Sequence, residues 1–229
     1  MKTRILILAS LVLPLMPSAP AQAERPGPIS SPNGLRGDRG AIRLSVQSQV
    51  QLTGPLYIWF LREGGDPARD ADLLRFTRGQ GVPVLGSNMV DSRALIYAVR
   101  PGRYRLIAHS KTCSSLPPPN AICTAGGPTE RYEGETPVFE VRAGQLTDVG
   151  EFILEAPAGT AIGEATGMRQ MATNPFSFRM RARVSQQPLP AAFAATPRGP
   201  AIEVPASFRS TISCRARPDG AMMYLPFDC

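Results

Sequence analysis

Alternation of apolar and polar side chains begins at Ile42, Leu44 and Val46, which are interleaved with Arg43, Ser45 and Gln47. A two-residue period of this kind describes a strand with one buried face. After a break at Gly54-Pro55 the pattern changes, and Leu56-Tyr57-Ile58-Trp59-Phe60-Leu61 is apolar without interruption. Such a run, bounded by Gly and Pro, suits a central strand covered on both faces. Trp59, the only tryptophan, reads as a core residue, with ligand stacking as the alternative. Asp66-Pro67 offers an N-cap and a first-turn proline, which predicts a short helix carrying Leu73, Leu74 and Phe76 inward.

The clearest local signal follows. Residues 94–99 and 104–108 are two apolar runs around Arg100-Pro101-Gly102-Arg103. Pro101 and Gly102 supply the fixed and positive φ values of a type II turn, so the stretch predicts a strand–turn–strand unit. Residues 110–136 read as a long loop around Pro117-Pro118-Pro119. Strands are predicted again at 137–141 and 146–154, joined through Arg142-Ala143-Gly144-Gln145. From Ala156 the texture shifts to Ala, Gly, Thr and Pro, interrupted by the alternating stretch Phe178–Val184. Two last strands, 207–216 and 221–227, flank a turn at Arg217-Pro218-Asp219-Gly220.

The amino terminus has a different character. Lys2 and Arg4 precede the apolar run Ile5–Leu13, which ends in prolines and the small-x-small sequence Ala21-Gln22-Ala23. This predicts a secretory signal peptide at 1–23, removed on export. The run is too short for the ~20 residues of a membrane span, and no later segment predicts one. Residues 24–39, rich in Pro, Gly and Ser, read as a flexible leader.

Export changes the meaning of charge and cysteine. The precursor carries 25 basic and 18 acidic residues, and losing Lys2 and Arg4 leaves a mature net charge of +5. In a periplasmic or secreted setting that charge points to an envelope protein or an anionic cell-surface polymer, and away from nucleic acid. Cys113, Cys123, Cys214 and Cys229 are expected to form two disulfides. Short loops close at least entropic cost, which favours Cys113–Cys123 with Cys214–Cys229. A regular hairpin at 217–220, however, would leave Cys229 ~20 Å from Cys214. Either the tail folds back or Cys229 pairs elsewhere.

Val99-Arg100-Pro101-Gly102-Arg103-Tyr104-Arg105-Leu106, Val138-Phe139-Glu140-Val141-Arg142-Ala143-Gly144-Gln145 and 149–154 carry a resemblance. Together, residues 93–154 resemble the carboxypeptidase-regulatory-like and prealbumin-like β-sandwich domains of exported bacterial proteins. The resemblance implies a structural or binding module and no catalytic residue. The expected fold is therefore mainly β: an immunoglobulin-like or prealbumin-like antiparallel sandwich over residues 40–155. A Pro/Ala-rich C-terminal extension, 156–229, either stands apart from the sandwich or packs on it, and ends in a β-hairpin.

Catalytic chemistry finds little support. His109 is the only histidine, and no zinc, calcium or phosphate-loop motif is present, so neither metal nor cofactor is implied. Asp66, Asp70 and Asp72 fit no calcium loop and read as an acidic turn. A dyad of His109 with Cys113 conflicts with a disulfide at that cysteine. Carboxylate pairs leave no spacing signature, so a small extracytoplasmic hydrolase stays as the alternative to a non-enzymatic binding or envelope-assembly module. Arg179, Arg181 and Arg183 share one face of the alternating stretch at ~7 Å intervals. They suit either an anionic partner or an ordinary solvated face.

Overall fold

The computed structural model describes residues 24–35, 37–48, 55–78, 94–110, 114–117, 122–124, 127–155, 176–208 and 210–214. The proposed signal at 1–23, Cys113, Cys229 and the final predicted strand lie outside them. In chain order the described strands are β1 (Gly40–Ser48), β2 (Leu56–Arg62), β3 (Leu73–Arg78), β4 (Leu95–Val99), β5 (Gly102–Ser110) and β6 (Ile122–Thr124). They continue with β7 (Gly127–Arg131), β8 (Val138–Val141), β9 (Leu146–Glu155), β10 (Phe176–Arg183) and β11 (Ser210–Cys214).

These strands build a β-sandwich. One sheet runs β11-β10-β9-β1-β4, and the other runs β3-β2-β5-β7-β6 with β8 beside the first half of β5. Among the described pairings of strand with strand only β1 with β9 is parallel. The core between the sheets takes Ile42 and Leu44 from β1, Phe152 and Leu154 from β9, and Leu56, Ile58 and Phe60 from β2. Phe60 is its aromatic centre, edge-on to Phe76, Phe139 and Phe152 with ring centroids 5.1–5.9 Å apart. β2 is buried on both faces, as its unbroken apolar run predicts. Trp59 and Leu61 pack on the far side with Leu73, Ile107 and Ala108.

Several local expectations need correcting. The helix predicted after Asp66-Pro67 is a short 3-10 turn at Asp70–Asp72, and Leu73, Leu74 and Phe76 belong to β3. Asp66 spends its capping oxygen on the backbone N–H of Ala68, which closes a turn, and the next residues pair with β2. The two strands around Pro101 exist but do not pair with each other. β4 joins β1 and β5 joins β2, so the connection crosses between sheets. Gly102 has φ 153°, far from the ~80° of a type II turn. Tyr104 fixes this corner by donating its hydroxyl to the carbonyl of Arg100 at 3.0 Å, the arrangement of a tyrosine corner. β8 and β9 likewise belong to different sheets, with Gly144 at φ 70° between them. The long loop contains a short hairpin, β6–β7.

The amino-terminal flank also differs from expectation. Residues 24–35 lie along the sandwich instead of hanging free. Glu24 bridges to Leu74 of edge strand β3, and Pro28 to Tyr97 of edge strand β4. Ile29 and Leu35 pack against Ala41, Ile96, Leu146 and Phe193, apolar contacts that a Pro/Gly-rich composition conceals. Covering two open edges in this way satisfies backbone groups that would otherwise template foreign strands. The Glu24 carboxylate accepts from Arg39 and from Arg100 Nε, the latter at 2.7 Å. Replacing it, Glu24→Gln, is expected to lower stability by about 1 kcal/mol, the scale of a partly exposed charge-assisted bond. The loss should shrink in 1 M salt, which urea titrations at two ionic strengths will read.

The described parts of the C-terminal extension, 176–208 and 210–214, pack on the sandwich. β10 pairs with β9 and β11 with β10. Between those two strands the chain crosses the sandwich: Gly199 donates to Leu146 of β9, and Glu203 exchanges two backbone bonds with Val138 of β8. Phe193, 1 % exposed, anchors this crossing. The described residues beyond 155 therefore continue the sheet to which β9 belongs.

Candidate functional site

The arginine row occupies the outward face of β10 while Met180 points into the core. Register places Arg179 opposite Glu155, Arg181 opposite Ile153 and Arg183 opposite Glu151. The ion pairs follow: Arg179 and Arg181 both reach Glu155, at 2.9 and 2.7 Å, and Arg183 reaches Glu151 at 2.7 Å. The carboxylates are nearly enclosed, with side chains 11 % and 2 % exposed, and the guanidinium groups lie over them half-exposed. Two of the three charges in the row are thus balanced within the chain. β11 covers the other side of β10, so this is no edge strand. Val184, the last residue of the alternating stretch, lies beyond the strand end and is exposed.

The same network continues into β1. Arg43 is buried, donates to Asp148 at 3.2 Å and to Ser185 Oγ at 2.9 Å, and also bonds the Gln187 carbonyl. Burying a guanidinium demands such partners. They tie the segment after β10 back to the sheet.

Other residues singled out by the sequence are placed apart. His109 is fully buried at the end of β5, with Nδ1 2.7 Å from the Tyr132 hydroxyl. Its Nε2 is buried without a hydrogen-bond partner, and desolvation lowers its pKa to about 3. Two of the three aspartates considered for calcium are engaged in their own turn, with Asp72 Oδ2 accepting the N–H of Asp66. Cys123 and Cys214 have their backbones in β6 and β11, the outermost strands of different sheets. Their side chains, like Cys113 and Cys229, lie outside what is described, so the pairing stays an expectation.

A cleft that the sequence reading did not assemble lies where the chain leaves β7. It is open to solvent along one side and has a volume of about 270 Å³. Glu130, Tyr132, Glu133, Glu135 and Thr136 line one side, and Ser207 and Phe208 the other. Tyr132 is held from below by its backbone bond to Ile107 and by His109. Phe208 meets the Tyr132 ring edge-on at 5.5 Å, and Ser207 donates to Glu135 at 2.9 Å. The two-bond bridge of Glu203 to Val138 brings these segments together across about 70 residues of sequence. Thr136 is only 3 % exposed, and its Oγ1 has no hydrogen-bond partner. Glu133 and Glu135 are exposed and in no ion pair among the described residues.

The local signal was present as three glutamates within Glu130–Thr136 of a basic chain. Phe208 and Ser207 could not be joined to them from spacing. No helix among the described residues is long and apolar enough to cross a membrane. No protein-family model, curated protein or solved structure matches the chain, so the cleft is read from its own chemistry.

Proposed function

We propose that the mature chain is a non-enzymatic binding module of the cell envelope, periplasmic or secreted, and that the acidic cleft is its contact surface. The observation that carries this reading is the cleft itself. It presents charge and aromatic surface on a rigid sandwich, the usual division of labour between scaffold and binding loops. The resemblance of residues 93–154 to carboxypeptidase-regulatory-like domains points the same way, because such domains serve as binding or structural modules.

The buried carboxylates support binding over hydrolysis. Glu151 and Glu155 are buried among the described residues and held by arginines. Four residues apart on one strand, they stand ~13 Å from each other, beyond the ~5–9.5 Å of glycosidase carboxylate pairs.

A photo-reactive side chain at Ser207 tests the proposal. Exposed to an envelope fraction, the mature protein should form a discrete adduct that weakens when Glu133→Gln and Glu135→Gln are combined. An adduct equally strong with the cleft neutralised, or none above that of a probe placed at Val184, removes the cleft from the function.

A further inference from the structure

We propose that the cleft takes a guanidinium group, presented as an arginine side chain by a partner polypeptide. The proposal rests on the cleft being the contact surface and names what it recognises. Three features converge on that chemistry. First, Glu133 and Glu135 stand at the rim of the cleft in a chain whose net charge is +7, so this acidity is local and opposes the overall balance. Carboxylates accept the forked N–H donors of a guanidinium two at a time.

Second, Tyr132 and Phe208 line the same space at 5.5 Å from one another. Aromatic rings attract a planar cation, and a guanidinium stacks on them where an ammonium cannot. Third, the Thr136 hydroxyl is buried without a partner beside them. A buried polar atom left unpaired is costly, and a donor arriving in the cleft relieves that cost. A volume of about 270 Å³ falls just below the ~300–1,000 Å³ of drug-sized pockets. One side chain is therefore a better match than a whole small molecule.

Neutral and anionic ligands are disfavoured by the same features. An anion would meet two carboxylates, and an apolar group would strip water from them and leave Thr136 without a partner. The arginine row on β10 belongs to the other sheet and is already paired with Glu151 and Glu155, so it does not compete from within.

The test is an NMR titration of the mature protein with the blocked peptides acetyl-Gly-Arg-Gly-amide and acetyl-Gly-citrulline-Gly-amide. Citrulline keeps the shape and removes the charge. The arginine peptide should shift the amides of residues 132–136 and 207–208, saturably and more weakly at high salt, with citrulline at least tenfold weaker. Glu133→Gln with Glu135→Gln should weaken arginine binding at least tenfold. Both glutamates are exposed, so the fold should tolerate the change, and an unchanged thermal midpoint checks this.

Thr136→Val gives an independent reading. Removing an orphan hydroxyl should leave or raise the thermal midpoint of the free protein, yet weaken arginine binding several-fold. Equal binding of citrulline, shifts confined to other surfaces, or a destabilised Thr136→Val variant with unchanged binding would each overturn the guanidinium assignment. Should the Ser207 adduct persist while the arginine peptide fails, the binding module stands and its ligand class falls. Loss of both removes the cleft altogether.

Discussion

Between pH 6.5 and pH 5 the folded protein is expected to lose about 2 kcal/mol of stability through one side chain, His109. The ring is fully buried, and desolvation lowers its pKa from 6.5 to about 3. Because the folded pKa lies below the unfolded one, the unfolded chain takes up the proton first as pH falls. The stabilising contribution is complete above pH 6.5 and drains away as pH drops toward 3, for a total on the order of 5 kcal/mol. That is a large part of the ~5–15 kcal/mol that holds a typical domain together. Carboxylates begin to add their own acid sensitivity only near their usual pKa of ~4, so the interval above pH 5 isolates histidine. Urea midpoints at pH 6.5 and 5 should differ in the wild type and converge in His109→Gln, which does not titrate. Equal slopes in the two proteins would falsify the assignment, whatever the variant costs at neutral pH.

The second large effect is expected at Gly150. β9 carries a bulge there: Arg43 pairs with Asp148 and Leu44 with Gly150, leaving Val149 unmatched. Gly150 has φ +81°, and a Cβ at this position would sit 2.2 Å from the carbonyl oxygen of Arg183. A side chain meets two obstacles at once. Left-handed backbone costs about 1–2 kcal/mol in a residue with a Cβ, and the contact is with backbone, which cannot swing aside. Gly150→Ala should therefore destabilise the protein by about 3 kcal/mol or more, at the upper end of single substitutions. Since the strain pushes β10 from β9, the Arg183–Glu151 pair should open as well. Hydrogen exchange of the β10 amides reads that directly, and protection unchanged from the wild type would show that the bulge relaxes around the methyl group.

How far the sequence carries is clearest in β10. Alternation correctly set Arg179, Arg181 and Arg183 on the face away from Met180. It did not reveal that Glu155 and Glu151 stand across from them, because the two strands are separated by residues 156–175 and their register is a non-local fact. The cleft shows the same limit more sharply. Glu133 and Glu135 were visible as charge, but Phe208 and the orphan hydroxyl of Thr136 acquire meaning only where the chain returns.

The positions of β1, β2, β4, β5, β8, β9 and β10 were written into the chain itself. The period-two patterns at β1 and β10, the doubly apolar run of β2 and the turn residues at Pro101 and Gly144 mark where strands lie and which side chains share a face. A pleated strand imposes that alternation whatever lies beside it. Which strand lies beside it was decided only by the tertiary structure. Pro101 and Gly144 turn the chain between sheets, 24–35 and 184–208 clasp the sandwich, and 73–78 forms a strand because β2 offered an open edge. Hydrogen-bond partners and burial are shared between distant segments, so no local pattern can encode them alone.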